Sequence, residues 1–404
     1  MLLSGPNPWQ LPQFSGADFI PGENPLETLD SLTPMSFIAP VIPISSDDAD
    51  SSASASQTAR PVVVRPAALR DDARADRLVR ELGGSLFQRS AWLNAVEKVF
   101  GHQRSCLHAF RGDELVGSLP LMTCRGLFGG KHLISSPYGV YGGPLAQDLE
   151  VQGALLEAAM RGARVAEVGR IELRSRTLVE HADLVQSDKY VTFIKDLPQT
   201  PEEILQGMKK DERRLVRRAV DTHGLVMQEG SWFVEDLTRL FHSSKQRLGS
   251  PGLPGAWFHA LLEHLGEEVV IHLVRKDQEV LAVSMCFVDQ GELRMYYIGT
   301  AASANREYAT TSFMIAELQR WALERGLKRF DLGRSRADAG AVKFKKNQGF
   351  KPEPLSYCYG LIGSQELPSF TPSNPKTAWL RETWSELPPF VCVRLSGFLS
   401  KYLP

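Results

Sequence analysis

LHAFRGDELVGSLPL (107–121) and IHLVRKDQEVLAVSM (271–285) read as one hairpin written twice. Each is an alternating apolar run, a charged turn and a second alternating run, the period-2 pattern of paired, half-buried strands. His108 falls on His272, Arg111 on Arg275 and Asp113 on Asp277, each 164 residues apart. A second pair follows in the same order: RIELRSR (170–176) and RFDLGRSR (329–336), with Arg170 and Arg329 159 residues apart and Gly333 added in the later copy. Hairpins resemble hairpins, so neither match decides alone. Two matches in one order predict two copies of one fold, 61–196 and 197–361, followed by a tail at 362–404 that packs on them.

The segments around these stretches alternate between strand and helix. In the first copy, VVVRP (62–66) is a short strand and 71–82 and 89–100 have helical spacing. A Gly-rich loop, SSPYGVYGGP (135–144), precedes a helix at 148–166, and YVTFIKDL (190–197) is extended. In the second copy, helices are expected at 201–222, 233–248 and 256–265, strands at 271–276, 279–288 and 292–299, and a long helix at 303–325. This alternation predicts an α/β fold with mixed sheets and flanking helices.

Composition narrows the function classes. The 404 residues hold 46 Lys and Arg against 47 Asp and Glu, a net charge of −1, which disfavours a general nucleic-acid or membrane-surface binder. Residues 1–60 are set apart by eight prolines, ten serines, seven acids and one base, and are expected to form a disordered arm. No run of about 18 apolar residues marks a membrane-spanning helix. The start, MLLSGPNPWQ, has neither the basic nor the apolar region of a secretory signal. The five cysteines, Cys106, Cys124, Cys286, Cys358 and Cys392, are odd in number and form no CxxC pair, so neither a disulfide framework nor a metal site is expected. Reduced thiols and a cytoplasmic location follow.

The charged-turn hairpin, the duplicated half and FDLGRSRADAGAVKFKKNQGF (330–350) resemble the FemAB-like proteins of the GNAT acyltransferase superfamily, in particular the type that accompanies PEP-CTERM/exosortase and exopolysaccharide systems. The resemblance covers 61–404. It implies two tandem GNAT-like domains with a cleft between them, and transfer of an acyl or aminoacyl group to an amine of a cell-envelope or exopolysaccharide precursor, a saccharide or peptide-like acceptor. It implies aminoacyl-tRNA or acyl-coenzyme A as donor, with no tightly bound cofactor. Relatives that use coenzyme A carry R/Q-x-x-G-x-G/A before a helix. Here the matching place reads Arg306-Glu307-Tyr308-Ala309-Thr310-Thr311, with the arginine but without the glycines that let a backbone approach a phosphate closely. Two alternatives stay open: an acetyl-coenzyme-A-dependent N-acetyltransferase, and a non-catalytic saccharide-binding scaffold.

Acyl transfer from an activated ester needs a neutral amine, a polarised carbonyl and tight positioning, and no catalytic triad. Asp331 is the expected acceptor of the amine proton and Tyr297 the expected hydrogen-bond donor to the oxyanion, its neighbour Tyr296 pointing to the opposite face. Arg334, Ser335, Lys343 and Lys345 at the end of the second-copy strand are expected to bind substrate. Arg247, in the loop KQRLGSPGLPG (245–255), and Tyr138, in the Gly-rich loop, complete the set. The helix KKDERRLVRR (209–218) carries six bases and two acids and is a candidate contact for tRNA phosphates. The tail FVCVRLSGFLSKYLP (390–404), with Arg394 and Lys401, is a candidate for peripheral membrane contact.

Overall fold

A computed structural model describes residues 60–127, 129–362 and 378–404. The expected N-terminal arm lies outside the described residues, apart from Arg60, as does the tail between 363 and 377.

The first copy contains β1 (Val62–Pro66), α1 (Asp72–Glu81), α2 (Ser90–Phe100), β2 (Gln103–Arg104), β3 (Leu107–Arg111), β4 (Glu114–Leu119), β5 (Leu121–Arg125), β6 (Lys131–Ser135), β7 (Leu145–Ala146), α3 (Leu149–Val165), β8 (Arg170–Ser175), β9 (Leu184–Ser187), β10 (Tyr190–Thr192) and β11 (Ile194–Asp196). The second contains α4 (Pro201–Gln206), α5 (Lys210–Asp221), β12 (Val226–Glu229), α6 (Val234–Arg247), α7 (Gly255–Leu265), β13 (Val269–Lys276), β14 (Glu279–Asp289), β15 (Glu292–Thr300), α8 (Ala304–Tyr308), α9 (Thr310–Glu324), β16 (Arg329–Asp331), β17 (Ser335–Arg336), α10 (Gly340–Asn347), β18 (Glu353–Pro354) and β19 (Ser356–Leu361). Helices α11 (Ala378–Glu386) and α12 (Pro389–Leu399) follow. The long helix expected at 303–325 is broken at Ala309, whose φ of 54° is left-handed.

Two six-stranded mixed sheets run β2-β5-β6-β8-β19-β9 and β11-β16-β15-β14-β13-β12, beside smaller sheets β1-β3-β4-β7 and β17-β10-β18. The duplication is visible in the pairing. Hairpins β3–β4 and β13–β14 each carry a bulge, at Ala109/Phe110 and at Val274/Arg275. These bulges are 165 residues apart, so the register corrects the 164-residue spacing by one. His108 therefore matches Leu273 rather than His272, and a one-residue slip exchanges the faces of a strand. The second interruption also recurs: Pro120 divides β4 from β5, and a bulge between Met285 and Cys286 bends β14. A proline has no N–H to give the ladder, so one copy breaks its strand where the other only kinks it.

In each sheet one parallel pair, β6 with β8 and β15 with β16, sets the strand that ends at the junction of the copies. The next strand is then exchanged. β11 follows the first copy in sequence but pairs with β16; β19 follows the second and pairs with β8. A shared aromatic core of Phe87, Trp92, Trp257 and Phe287 joins the copies, with Trp92 and Trp257 edge-on at 5.1 Å. Burial of such rings stabilises by roughly 1.5–3 kcal/mol each. All five cysteines are buried, and burial pushes the thiols of Cys106, Cys124, Cys286 and Cys358 up to about 12. Thiols so shifted stay protonated and unreactive.

Candidate functional site

The ends of β8 and β16 meet where the two sheets exchange strands. Arg174 at the end of β8 is 5% exposed and lies opposite Tyr357 of β19. Its Nε donates to Glu172 Oε1 at 2.8 Å, its Nη1 to Gly139 O at 3.2 Å and its Nη2 to the main-chain oxygen of Pro404 at 2.8 Å. Burial pushes Glu172 up, but Arg174, with smaller contributions from Arg170 and Arg334, outweighs it and holds the carboxyl below its ordinary value.

Arg334 follows β16 across a turn at Gly333, whose φ is 68° and whose N–H donates to Asp331 Oδ1 at 2.6 Å. The turn carries the guanidinium over the rings of Tyr190, at 4.6 Å, and Tyr357, at 5.5 Å. Among the described residues its one hydrogen bond is from Nη1 to Tyr357 Oη at 3.4 Å, and no carboxylate pairs with it. Lys245, on the last turn of α6, has its Nζ 5.2 Å over the Phe241 ring and no acidic partner among the described residues. Burial, with a smaller push from Arg334, lowers its pKa. Arg174 and Arg334 thus stand by one paired carboxylate, Glu172, and Lys245 feels the charge of Arg334. Half-buried charge of one sign is costly unless a ligand compensates it.

The wall opposite is the loop 135–144. Several of its carbonyls accept from side chains: Trp92 Nε1 donates to Pro137 O, Tyr296 Oη to Tyr138 O at 2.6 Å, Tyr357 Oη to Val140 O at 2.7 Å and Ser85 Oγ to Tyr141 O. Donors from both copies thus tie this loop in place. Gly142 and Gly143 are required by close approach, because a Cβ would meet Ser136 or Ser175 at 2.4 Å. Tyr138, an expected substrate contact, is buried, with its Oη donating to Ser400 O at 3.0 Å and lying 3.1 Å from His102 Nε2.

The two expected catalytic side chains are both buried and hydrogen-bonded within the protein. Asp331 is 1% exposed and fully occupied: Tyr141 Oη donates to its Oδ2 at 2.9 Å and Arg294 Nε lies 3.7 Å away. Burial first, then Glu292, raise its pKa to about 6. With Asp289 and Glu292 it encircles Arg294, whose Nη1 donates to Asp289 and whose Nε is 2.7 Å from Glu292. Asp331 is a structural member of this cluster. Tyr297 is 6% exposed and accepts from Trp257 Nε1 at 2.8 Å in the shared core. The pleat sends its neighbour Tyr296 to the loop instead.

Other expected contacts divide. Ser335 lies in β17, paired with Val191, half-buried. Lys345 is drawn under the turn: its Nζ donates to Leu332 O at 2.7 Å and Gly333 O at 2.8 Å, and burial lowers it to about 8. Lys343 is exposed. Arg247 is exposed and clips the end of α6, donating to Ser243 Oγ at 2.7 Å and to Thr300 O. It is Lys245, two residues earlier, that lies beside Arg334. Arg174, Tyr190 and Tyr357 were not anticipated. The repeat contained the signal for Arg174, since RIELRS is the counterpart of the stretch that supplies Arg334.

Two further surfaces bear on the donor. At the start of α9, Thr311 N–H donates to Asn305 Oδ1 at 2.9 Å, and Thr310 Oγ1 donates to Ala304 O at 2.9 Å. On α5, Val216 and Ala219 are buried, while Lys210, Arg214, Arg217 and Arg218 are exposed. Arg218 Nη2 donates to Glu307 O at 3.1 Å, which sets this basic helix beside α8. Among the described residues no group of side chains is arranged to hold a metal ion.

Residues 206–346 match the family model of the acetyltransferase (GNAT) domain. No curated protein sequence matches the chain. Among solved structures, FemX is similar with a TM-score of 0.57 and 13% identity, over 72% of this chain and 96% of that one. A tandem GNAT protein from the clavulanic acid biosynthesis pathway gives 0.48 and 12%, over 76% and 100%. The C-terminal domain of a putative lysylphosphatidylglycerol synthetase from Agrobacterium fabrum gives 0.46 and 16%, over 72% and 92%. The chain thus has a mixed α/β fold similar to that of FemX, and its second half contains the stretch that matches the acetyltransferase (GNAT) domain model.

Proposed function

We propose that the protein transfers an acyl or aminoacyl group to an amine of an anionic precursor of the cell envelope or of an exopolysaccharide. The observation that carries this reading is the set of cations at the junction, Arg174, Arg334 and Lys245, of which, among the described residues, only Arg174 has a carboxylate partner. A phosphate or carboxylate on the acceptor supplies the missing charge, and the rings of Tyr190 and Tyr357 form an apolar floor under Arg334. Holding the acceptor there places its amine against the acyl carbonyl. Such positioning contributes about 7–11 kcal/mol in favourable cases. In the step itself the amine nitrogen bonds to the acyl carbon, the ester bond to the donor breaks, and the amine proton leaves with the departing oxygen or to water.

Aminoacyl-tRNA is the donor this reading favours. At the start of α9, where a coenzyme A pyrophosphate would need free N–H groups, the Thr311 N–H is taken by Asn305 Oδ1, and Ala309 carries a Cβ where the glycine would be. The exposed bases of α5 beside that turn are suited to RNA phosphates. Mass spectrometry of envelope and polymer precursors, with and without the protein, should show one defined added acyl mass that disappears in Arg334→Ala. Its persistence would remove the reading. Arg213→Glu with Arg217→Glu should abolish tRNA retention. A thermal shift with millimolar coenzyme A would instead favour the acetyltransferase alternative.

A further inference from the structure

Helix α12 is attached along one edge and bare along the other. Cys392 and Ser396 are buried, and Ser396 Oγ accepts from Gly252 N–H at 3.0 Å, which fixes the helix beside α6. Phe390 is 74% exposed, Phe398 53% and Val393 46%. At 3.6 residues per turn, positions 390, 393, 394, 397 and 398 fall on one face. That face is apolar apart from Arg394. Lys401, in the turn that follows, has its Nζ 4.8 Å over the Phe398 ring and 4.9 Å over the Tyr402 ring. Between Leu387 and Pro404 there are two bases and no acid, whereas α11 carries Glu382 and Glu386. The surface is therefore limited to α12 and its turn.

We propose that this face docks on an anionic lipid bilayer, with the phenylalanines at the acyl boundary and Arg394 and Lys401 at the headgroups. The charge decides the occupant. A helix with exposed aromatic rings and only positive charge is complementary to a surface both apolar and anionic. No helix among the described residues is long and apolar enough to cross a membrane, so the contact is a peripheral one. The position gives the contact a use. Ser400 O accepts from Tyr138 Oη and the main-chain oxygen of Pro404 accepts from Arg174, so the end of this segment touches residues at the junction of the copies. A protein seated on lipid through α12 has that junction close to the headgroup layer.

The test is co-sedimentation of the full chain with vesicles of phosphatidylglycerol mixed with phosphatidylcholine, and with phosphatidylcholine alone. Binding to the mixed vesicles, weakened by salt, is expected. Phe390→Glu with Phe398→Glu should lower it on the order of tenfold or more. Both side chains are exposed, so the melting temperature should be unchanged. Val393→Trp should show a blue-shifted fluorescence on vesicles. Absence of sedimentation would overturn the proposal, as would sedimentation that the double variant leaves intact. So would a self-association in size-exclusion chromatography that Phe390→Glu abolishes, because the occupant would then be a second copy. None of these readouts needs transferase activity, so the docking can fail while the functional reading stands.

Discussion

The two central strands begin alike and end differently. RIELRS (170–175) stays in its sheet to Ser175, and its Arg174 turns back on Glu172 two residues earlier. RFDLGR (329–334) leaves its sheet after Asp331, bends at Gly333 and sends Arg334 onto Tyr190 and Tyr357, with no acid paired to it among the described residues. Both arginines reach the same tyrosine, Tyr357, one opposite it in the ladder and the other over its ring. One added glycine has turned a clamped arginine into an available one. The duplication thus supplied two similar strand ends at one junction, and a single turn left the arginine of one of them without a carboxylate partner among the described residues.

The first way to break this comparison is at the neighbouring strand. In the parallel register Ile134 stands beside Glu172, while Arg294 stands beside Asp331. Arg294 is buried among Asp289, Glu292 and Asp331, so Arg294→Ala leaves Asp331 without its counter-charge and Asp289 and Glu292 with only Arg89, at 3.8 Å, and Arg329, at 3.4 Å. A loss of about 3–5 kcal/mol is expected, measured by denaturant unfolding. Ile134→Val, in the apolar counterpart, should cost about 0.5–1.5 kcal/mol. Equal losses would show that the cluster is not what holds the second copy.

The next is Arg334→Ala, which should raise KM for the acceptor by about a hundredfold, the scale of one charge-assisted hydrogen-bonded pair, with a smaller change in kcat. Lys343→Ala, on an exposed side chain, is the control and should behave as the parent does.

Asp331→Asn tests the cluster through pH. The Asp331 carboxyl is raised from an ordinary 3.8 to about 6, so the folded state binds its proton more tightly than the unfolded chain does. The contribution to stability is fully present below pH 4 and is lost as pH rises through 6. Melting temperature should therefore decline over that window in the parent and decline less in Asp331→Asn. An unchanged slope would mean that the carboxyl titrates normally.

The fold was legible where the pattern was periodic. The hairpins, α3, α6 and β14 lie where the alternation predicts them, and the repeat predicted two similar sheets. The exchange of β11 and β19 was not legible, because a short apolar strand fits either sheet edge equally well. In the candidate site, the glycine turn singles out Arg334 in the sequence, whereas nothing singles out Lys245, which differs from Arg247 only in the helix face it occupies. Tyr297 and Asp331 were chosen by residue type and strand position. Burial then gave both of them other partners: Trp257 for the phenol, and Tyr141 and Arg294 for the carboxylate.

Gly333→Ala asks whether the turn or the charge makes the second strand end different. A Cβ at this position would meet nothing within 4 Å, so no clash is introduced. The cost is confined to holding a φ of 68° with a side chain, about 1 kcal/mol of stability. Asn, which tolerates left-handed backbone, should cost less. Because Lys345 still ties the Leu332 and Gly333 carbonyls, Arg334 should keep its place over Tyr190, and KM for the acceptor should rise only a few-fold. An effect as large as that of Arg334→Ala would instead assign the difference between the copies to the rigidity of the turn. The arginine would then matter for where it is held more than for the charge it brings.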